Sequence, residues 1–343
     1  MLQQMSIPKN PNITELYYEI GQIFSVRMKK TKKAPQVSAG WIIIKTKEDE
    51  RTGGAAARPA ASEWSSGRHP KGRKEKMIRL GIIGCGNMGG AILRQWLKAG
   101  MFQPEEVIAA DKNPELREKL QKELGVTVTP DNCQAAAAPC LLLAVKPQYA
   151  PAVGQEIDGA VKQDALVLSI MAGYDLSMLH GLLKNDQAHI IRVMPNTPAM
   201  VGEGALAACR GQYVTDTEWQ RGMELLSCMG QAEEVEEKWM DAVTGLSGSS
   251  PAFVFMFLEA LSDAGVRAGL PRALATRLAA QTLVGSGRLA QETGLHPGQL
   301  KDMVTSPAGT TIEGVAALEK DGFRAAVMDA VNAAVQKSRS FHA

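Results

Sequence analysis

Aromatic side chains are scarce in this chain: Phe, Trp and Tyr together make up 5% of its 343 residues. An interior with so few rings must be filled by aliphatic and small side chains. Ala, Gly and 16 Met are plentiful, which points to a helix-rich core. Cysteine is sparse too. Cys85, Cys133, Cys140, Cys209 and Cys228 are odd in number and contain no Cys-x-x-Cys pair, so a reduced, cytoplasmic compartment is expected rather than a disulfide framework. The five histidines are scattered, with no His-Glu-x-x-His or similar spacing, so no metal site is expected. Nor does any run approach the ~18 apolar residues of a spanning helix, so no membrane role is expected.

What is present is ordinary for a soluble two-domain protein: 45% apolar and 22% charged residues. The net charge of +2 conceals an asymmetry. Residues 1–76 hold 15 Lys and Arg against 7 Asp and Glu, while residues 77–343 hold 23 against 29, or +8 against −6. The larger part is mildly acidic, so nucleic acid is not an expected partner.

Residues 1–76 resist a fold. Gln22 to Arg27 and Trp41 to Ile44 are short apolar runs, Lys29 to Lys33 is basic, and Arg51 to Lys76 is rich in Gly, Ala, Ser and charge. Such composition buries too little apolar surface to offset chain entropy. A nucleic-acid-binding arm and a transit peptide are two functional readings, although seven acidic residues interrupt the second. The favoured expectation is a disordered or artefactual extension, with Met77 the true first residue. Met77 stands directly before a strand-like run, and Arg73-Lys74-Glu75-Lys76 can be written in purine codons like a ribosome-binding site.

From Met77 the pattern is that of a dinucleotide-binding unit. Ile78 to Ile83 reads as a buried strand, Gly84-Cys85-Gly86-Asn87-Met88-Gly89 follows at once, and Ala91, Ile92, Trp96 and Leu97 mark a helix face. The first glycine permits the tight turn, the second lets backbone approach a pyrophosphate, and the third lets helix pack on strand. A second strand, Val107 to Ala110, ends at Asp111, 22 residues beyond Gly89. The alternative is a glycine-rich turn with no ligand. Asp111 suits a ribose 2′-OH and repels a 2′-phosphate, whereas Lys112 and Asn113 could bind that phosphate, so the residues leave NADPH and NADH both open. Further strands run from Leu141 to Val145, Leu166 to Met171 and Ile190 to Met194. Their carboxyl ends, Lys146-Pro147, Ala172-Gly173 and Pro195-Asn196-Thr197-Pro198, are candidate cofactor contacts. Lys146 is either a catalytic acid or, more simply, part of a structural strand stop.

The texture changes near Trp239. Gly245 to Ala252 reads as a small-residue, helix-starting loop. Helices are then expected to Gly269, from Pro271 to about Glu292, and from Pro297 to Val304, with His296 as a cap or interface residue. Their uncovered apolar surface points to dimerisation. Between Asp302 and Thr311 lie hydroxyls, small residues and free backbone N–H groups at the start of an apolar helical pattern. Such a helix N-terminus is suited to an anion of carboxylate size. A nucleotide site together with an acid site suggests hydride transfer to a small acid.

Together these motifs resemble pyrroline-5-carboxylate reductase. The match runs from Met77 to the C-terminus on Gly84-Cys-Gly-Asn-Met-Gly, Ala144-Val-Lys-Pro, Met194-Pro-Asn-Thr-Pro, Gly245-Leu-Ser-Gly-Ser-Ser-Pro-Ala and Ser306-Pro-Ala-Gly-Thr-Thr. Ala308 departs from the family's usual glycine, which matters if that position needs positive φ or very close substrate approach. The resemblance implies an α/β fold: a Rossmann-type doubly wound parallel sheet over 77–238, then an all-helical dimerisation and substrate domain over 239–343. It implies reduction of 1-pyrroline-5-carboxylate to L-proline by NADPH or NADH, NADPH being favoured by the family. It also implies homodimers whose active sites lie between one chain's Rossmann domain and its partner's helices, assembling into a decameric ring.

By the same resemblance, Thr311 is the catalytic residue, hydrogen-bonding the ring nitrogen. Ser306 and the N–H groups of Gly309, Thr310 and Thr311 bind the carboxylate. Gly84, Gly86, Asn87, Met88 and Gly89 form the pyrophosphate loop, with Asp111 at the ribose. Asn132, Ala144, Lys146 and Pro147 line the nucleotide, and Met171 and Ala172 its nicotinamide side. Cys85, beside the pyrophosphate, is the cysteine to test for redox activity. Two other readings stand beside this one. A different Rossmann imine reductase or β-hydroxyacid dehydrogenase is the first, although the lysine that such hydroxyacid enzymes use is absent from 245–252, and Lys238 lies before it. A non-catalytic nucleotide-sensing scaffold is the second.

Overall fold

The structure, a computed structural model, describes residues 77–341; the expectations for residues 1–76 lie outside the described residues. Eight strands form one sheet: β1 (Leu80–Ile83), β2 (Val107–Ala110), β3 (Thr127–Thr129), β4 (Cys140–Leu143), β5 (Leu166–Ser169), β6 (His189–Met194), β7 (Gly204–Arg210) and β8 (Gly230–Glu234). Their spatial order is β3-β2-β1-β4-β5-β6-β7-β8. All neighbours run parallel except β6 and β7, which are antiparallel.

Side chains alternate across the sheet, and both faces are buried, as a parallel sheet requires. Leu80, Ile82 and Leu142 enter one core cluster with Trp96, whereas Ile83, Leu141 and Leu143 enter the other with Val153 and Leu179. Helices cover these faces: α1 (Asn87–Lys98), α2 (Pro114–Leu124), α3 (Asn132–Ala136), α4 (Ala150–Glu156), α5 (Leu176–Leu183) and α6 (Asp216–Ser227). Trp96 on α1 is fully buried, and its indole N–H donates to the carbonyl of Leu225 at 2.7 Å, tying the first crossover to α6. The order reverses at β1, with β2 on one side and β4 on the other. That is the topological switch point at which open α/β sheets bind ligands.

The predicted strands at β1, β2, β4, β5 and β6 are all present. β3, β7 and β8 were not foreseen, for physical reasons. β7 reads Gly-Ala-Leu-Ala-Ala-Cys-Arg, an alanine-rich stretch of weak strand propensity. β8, Gly-Gln-Ala-Glu-Glu, is polar because it forms an edge.

The helical half comprises α7 (Met240–Val243), α8 (Ser250–Arg267), α9 (Arg272–Thr293), α10 (Pro297–Met303), α11 (Thr310–Lys320) and α12 (Phe323–Arg339). Its predicted stops hold: Gly269 turns the chain at φ 99° before Pro271, and His296 caps α10 by accepting from the N–H of Gly298 at 3.1 Å. The small-residue stretch differs from expectation. Residues Thr244–Gly248 form a π-helical turn joining α7 to α8 rather than an open loop. Gly245 allows α12 to pack there, since a methyl group in its place would meet Val335 Cγ2 at 2.5 Å and the Val331 carbonyl oxygen at 2.9 Å.

Elsewhere the helices leave much apolar surface uncovered. Met256 is 69% exposed, Met328 65% and Phe255 59%. Among the described residues no helix is long and apolar enough to cross a membrane.

Candidate active site

The three glycines of the β1–α1 turn do different jobs. Gly84 has φ 90°, where an L side chain is strained, and a methyl group there would meet the Ala144 carbonyl oxygen at 2.7 Å. At Gly89 a methyl would lie 2.1 Å from the Gly84 carbonyl oxygen and 2.9 Å from Ala144 Cβ, so helix and strand meet closely there. Around Gly86 a methyl would meet nothing within 4 Å. Gly86 is also the N-cap of α1, without a side-chain cap or an acid in the first turn. Gly86 and Asn87 are exposed and Met88 half-buried, so unpaired N–H groups and the positive helix end face an open space. That geometry fits a pyrophosphate, and with it a dinucleotide.

Asp111 does more than close the second strand. Its Oδ2 accepts from the N–H of Cys85 at 2.8 Å and its Oδ1 from the N–H of Asn113 at 2.9 Å. The carboxylate thus staples the glycine loop to the β2–α2 turn. Lys112 and Asn113, each a possible phosphate ligand by sequence, are both engaged. Lys112 donates to Glu156 at 2.7 Å and to the Pro130 carbonyl at 3.0 Å, while Asn113 caps α2. Asn132 is 3% exposed, and its amide donates to Glu156 at 2.9 Å.

The other strand-end residues gather beyond the same edge. β1 pairs with β4 in register from Leu80 with Cys140 to Ile83 with Leu143, which carries Ala144 beside the glycine turn. Lys146 is exposed just past β4 and precedes Pro147, which opens a short 3₁₀ turn. Met171 is buried and Ala172 half-buried just past β5.

The second expected anion site falls at the start of α11. The N–H of Gly309 donates to the Ser306 carbonyl at 3.1 Å, closing a β-turn with Pro307 second and Ala308 third. Ala308 adopts φ 54°, so this chain carries a methyl where the turn favours glycine. The closed turn engages one expected donor, the N–H of Gly309. Gly309 is the N-cap of α11 without a side-chain cap, leaving the first-turn N–H groups of Thr310 and Thr311 pointing outward. Among the described residues no hydrogen bond joins Ser306–Thr311 to the sheet half. The glycine turn, Asp111 and Ala144 thus lie together at the carboxyl ends of β1, β2 and β4, while Ser306–Thr311 makes no hydrogen bond to them within the single chain.

Asn196, which the sequence offers only as part of the strand end Pro195-Asn196-Thr197-Pro198, is buried just past β6. Its amide donates to the Ser247 carbonyl at 3.1 Å and its Oδ1 accepts from the N–H of Ala205 at 3.0 Å, tying the end of β6 and the start of β7 to the π-turn. The Pro-Asn-Thr-Pro motif was the available signal. Glu156 had no signal of its own. Cys85 is a poor redox candidate: its thiol is 1% exposed, and burial, with a smaller contribution from Asp111, pushes it up to about 12. Lys238 is exposed and paired with Glu236 at 2.6 Å. Among the described residues no three His, Cys, Asp or Glu side chains cluster as a metal site would require.

A Rossmann sheet opening onto one uncapped helix start, followed by a helical half that holds another, fits the plan of a nucleotide-dependent oxidoreductase. Residues 237–341 match the family model for pyrroline-5-carboxylate reductase dimerisation, and residues 79–173 match the model for NADP oxidoreductases, coenzyme F420-dependent. The pyrroline-5-carboxylate reductase of Synechocystis is 47% identical over 264 residues, covering 76% of this chain and 97% of that protein. The Escherichia coli enzyme of that name is 42% identical over the same shares. A crystal structure of Plasmodium falciparum pyrroline carboxylate reductase with NADP bound superposes with a TM-score of 0.71 at 33% identity, covering 78% of this chain and 98% of that one. This chain belongs to the pyrroline-5-carboxylate reductase family.

Proposed function

We propose that the protein reduces 1-pyrroline-5-carboxylate to L-proline with NAD(P)H, as the last step of proline biosynthesis. The observation that carries this reading is the uncapped start of α11 behind an intact Ser-Pro-Ala-Gly-Thr-Thr turn, in a chain of this family. A protonated cyclic imine is already a strong electrophile. The protein has to position it, exclude water and orient its nitrogen and carboxylate rather than supply a strong acid. When bound, the reduced nicotinamide supplies the hydride to the imine carbon.

Each residue then has a task. The Thr310 and Thr311 N–H groups and the Ser306 hydroxyl hold the substrate carboxylate. The Thr311 hydroxyl hydrogen-bonds the ring nitrogen and assists its protonation, so the product leaves as a secondary amine. Gly86, Asn87 and Met88 cradle the pyrophosphate, and Met171 and Ala172 wall the nicotinamide side. Residues 77–238 serve as the nucleotide domain and 239–343 as the substrate and dimerisation domain.

The acid-binding loop and the nucleotide loop share no hydrogen bond within one chain, and the helices expose Phe255, Met256 and Met328. A second copy therefore completes each site, the sheet of one protomer facing the helices of its partner. We extend this assembly to a decameric ring of dimers. The five free cysteines fit a cytoplasmic location.

The decisive assay follows NADPH and NADH oxidation separately with racemic pyrroline-5-carboxylate, in wild type and Thr311→Ala. The variant should lose about ten- to a thousandfold in turnover, since one positioned transition-state hydrogen bond contributes a few kcal/mol. No oxidation of either nucleotide by the wild type refutes the activity. Wild-type turnover in the variant removes Thr311 from its role.

A further inference from the structure

We propose that Glu156 is a specificity-determining residue: by holding Lys112, it weakens this protein's grip on a cofactor 2′-phosphate. The inference rests on the nucleotide-binding reading above.

In a Rossmann unit the adenosine ribose lies at the end of the second strand, where an acid favours the free 2′-OH and a basic side chain accommodates a 2′-phosphate. Here that point is Asp111, followed at once by Lys112. Two cations stand close by. Arg117 on α2 donates to the backbone carbonyl of Asp111 at 2.7 Å. Lys112 Nζ lies 2.7 Å from Glu156 Oε1 and 3.0 Å from the Pro130 carbonyl oxygen, which draws it toward α4. Glu156 is itself fixed from the other side. Its Oε2 accepts from the Asn132 side-chain amide at 2.9 Å, and its Oε1 also accepts from the Asn132 backbone N–H at 3.3 Å.

Glu156 therefore acts twice. It neutralises the lysine that follows the ribose acid, and it anchors that lysine to a rigid point on the fold. A 2′-phosphate entering here meets the Asp111 carboxylate, with Lys112 ion-paired to Glu156 and Arg117 turned by one N–H toward the Asp111 carbonyl. A ribose with a free 2′-OH meets an acceptor and needs neither cation. Glu156 touches neither the pyrophosphate loop nor the strand ends assigned to the nicotinamide; of the residues assigned to the nucleotide it holds only Asn132, for which a glutamine keeps an acceptor.

The test is equilibrium binding of NAD⁺ and NADP⁺ to the purified full-length protein, by calorimetry, for wild type, Glu156→Gln and Glu156→Gln/Lys112→Met. Glutamine keeps an acceptor for Asn132 while removing the charge that holds Lys112. We expect Glu156→Gln to tighten NADP⁺ about fivefold, the scale of one exposed charge pair, and to leave NAD⁺ within about twofold. Adding Lys112→Met should abolish the gain. An unchanged NADP⁺ to NAD⁺ ratio in Glu156→Gln overturns the proposal, as does a gain that survives loss of the lysine. In both cases the nucleotide site itself stands, because NAD⁺ still binds. If the wild type binds neither nucleotide, the proposal and the functional reading on which it rests both fall.

Discussion

Replacing Gly86 by Ala separates binding from folding at the pyrophosphate loop. Gly86 has φ −61°, which any L residue adopts, and a methyl group there meets no atom within 4 Å. The folded chain therefore accommodates the substitution. Alanine is the poorer N-cap, which costs about 1 kcal/mol and lowers the melting midpoint by about 2–3 °C in a chain of this size. The effect on binding is larger. The methyl projects into the space in front of the free N–H groups of α1 and holds an anion away from them. Losing one charge-assisted hydrogen bond removes about 1.5–3 kcal/mol, which weakens both NAD⁺ and NADP⁺ about ten- to 150-fold. Calorimetric titration paired with a thermal melt measures both quantities on one sample. Wild-type affinity in Gly86→Ala would show that the pyrophosphate does not approach this residue. A melting midpoint lowered by more than about 6 °C would mean that the turn is structural in a way its open surroundings do not predict.

Other outcomes follow from the same geometry. Gly89→Ala should behave oppositely, losing about 1–3 kcal/mol in urea denaturation, because its methyl would sit 2.1 Å from a backbone oxygen and overpacking outweighs the ~1 kcal/mol helix-propensity gain; an unchanged midpoint refutes the close packing. Ala308→Gly relieves a φ of 54° and frees the unfolded chain more, so stability should rise by no more than about 1 kcal/mol. Its clearer signature is a lower KM for pyrroline-5-carboxylate, and a raised KM counts against the turn's role. The Glu156 carboxyl is held below its ordinary 4.5, chiefly by the hydrogen bond from Lys112. Its stabilising contribution is thus present above that value and lost as pH falls through the lower folded-state value. Unfolding free energies of wild type and Glu156→Gln should therefore converge as pH drops from about 7 to about 3, and a gap that stays constant refutes the assignment.

Much of the fold was legible because its signals are local. β1, β4 and β5 are apolar runs ended by Gly, Pro or Ala-Gly punctuation, and a strand buried on both faces leaves that trace without help from the rest of the chain. The alanine-rich β7 and polar β8 left none, since their strand state comes from pairing with β6 and with each other. The Ser306–Gly309 turn was legible for the same local reason: a proline, a small residue and a glycine before a helix prescribe a turn whatever surrounds them. Position 308 takes a positive φ of 54°, the conformation for which the family's usual glycine is suited.

The sequence by itself determined the glycine turn, the strand that feeds it, the uncapped start of α11 and the family to which they belong. Only the tertiary structure decided who holds whom. Glu156 is 24 residues from Asn132 and 44 from Lys112, yet it binds both, and Asn196 reaches across 51 residues to Ser247. Hydrogen bonds and ion pairs act over a few ångströms of space and are indifferent to separation along the chain. Lys112 therefore reads in sequence as a free cation, and only the fold supplies the Glu156 carboxylate that pairs with it.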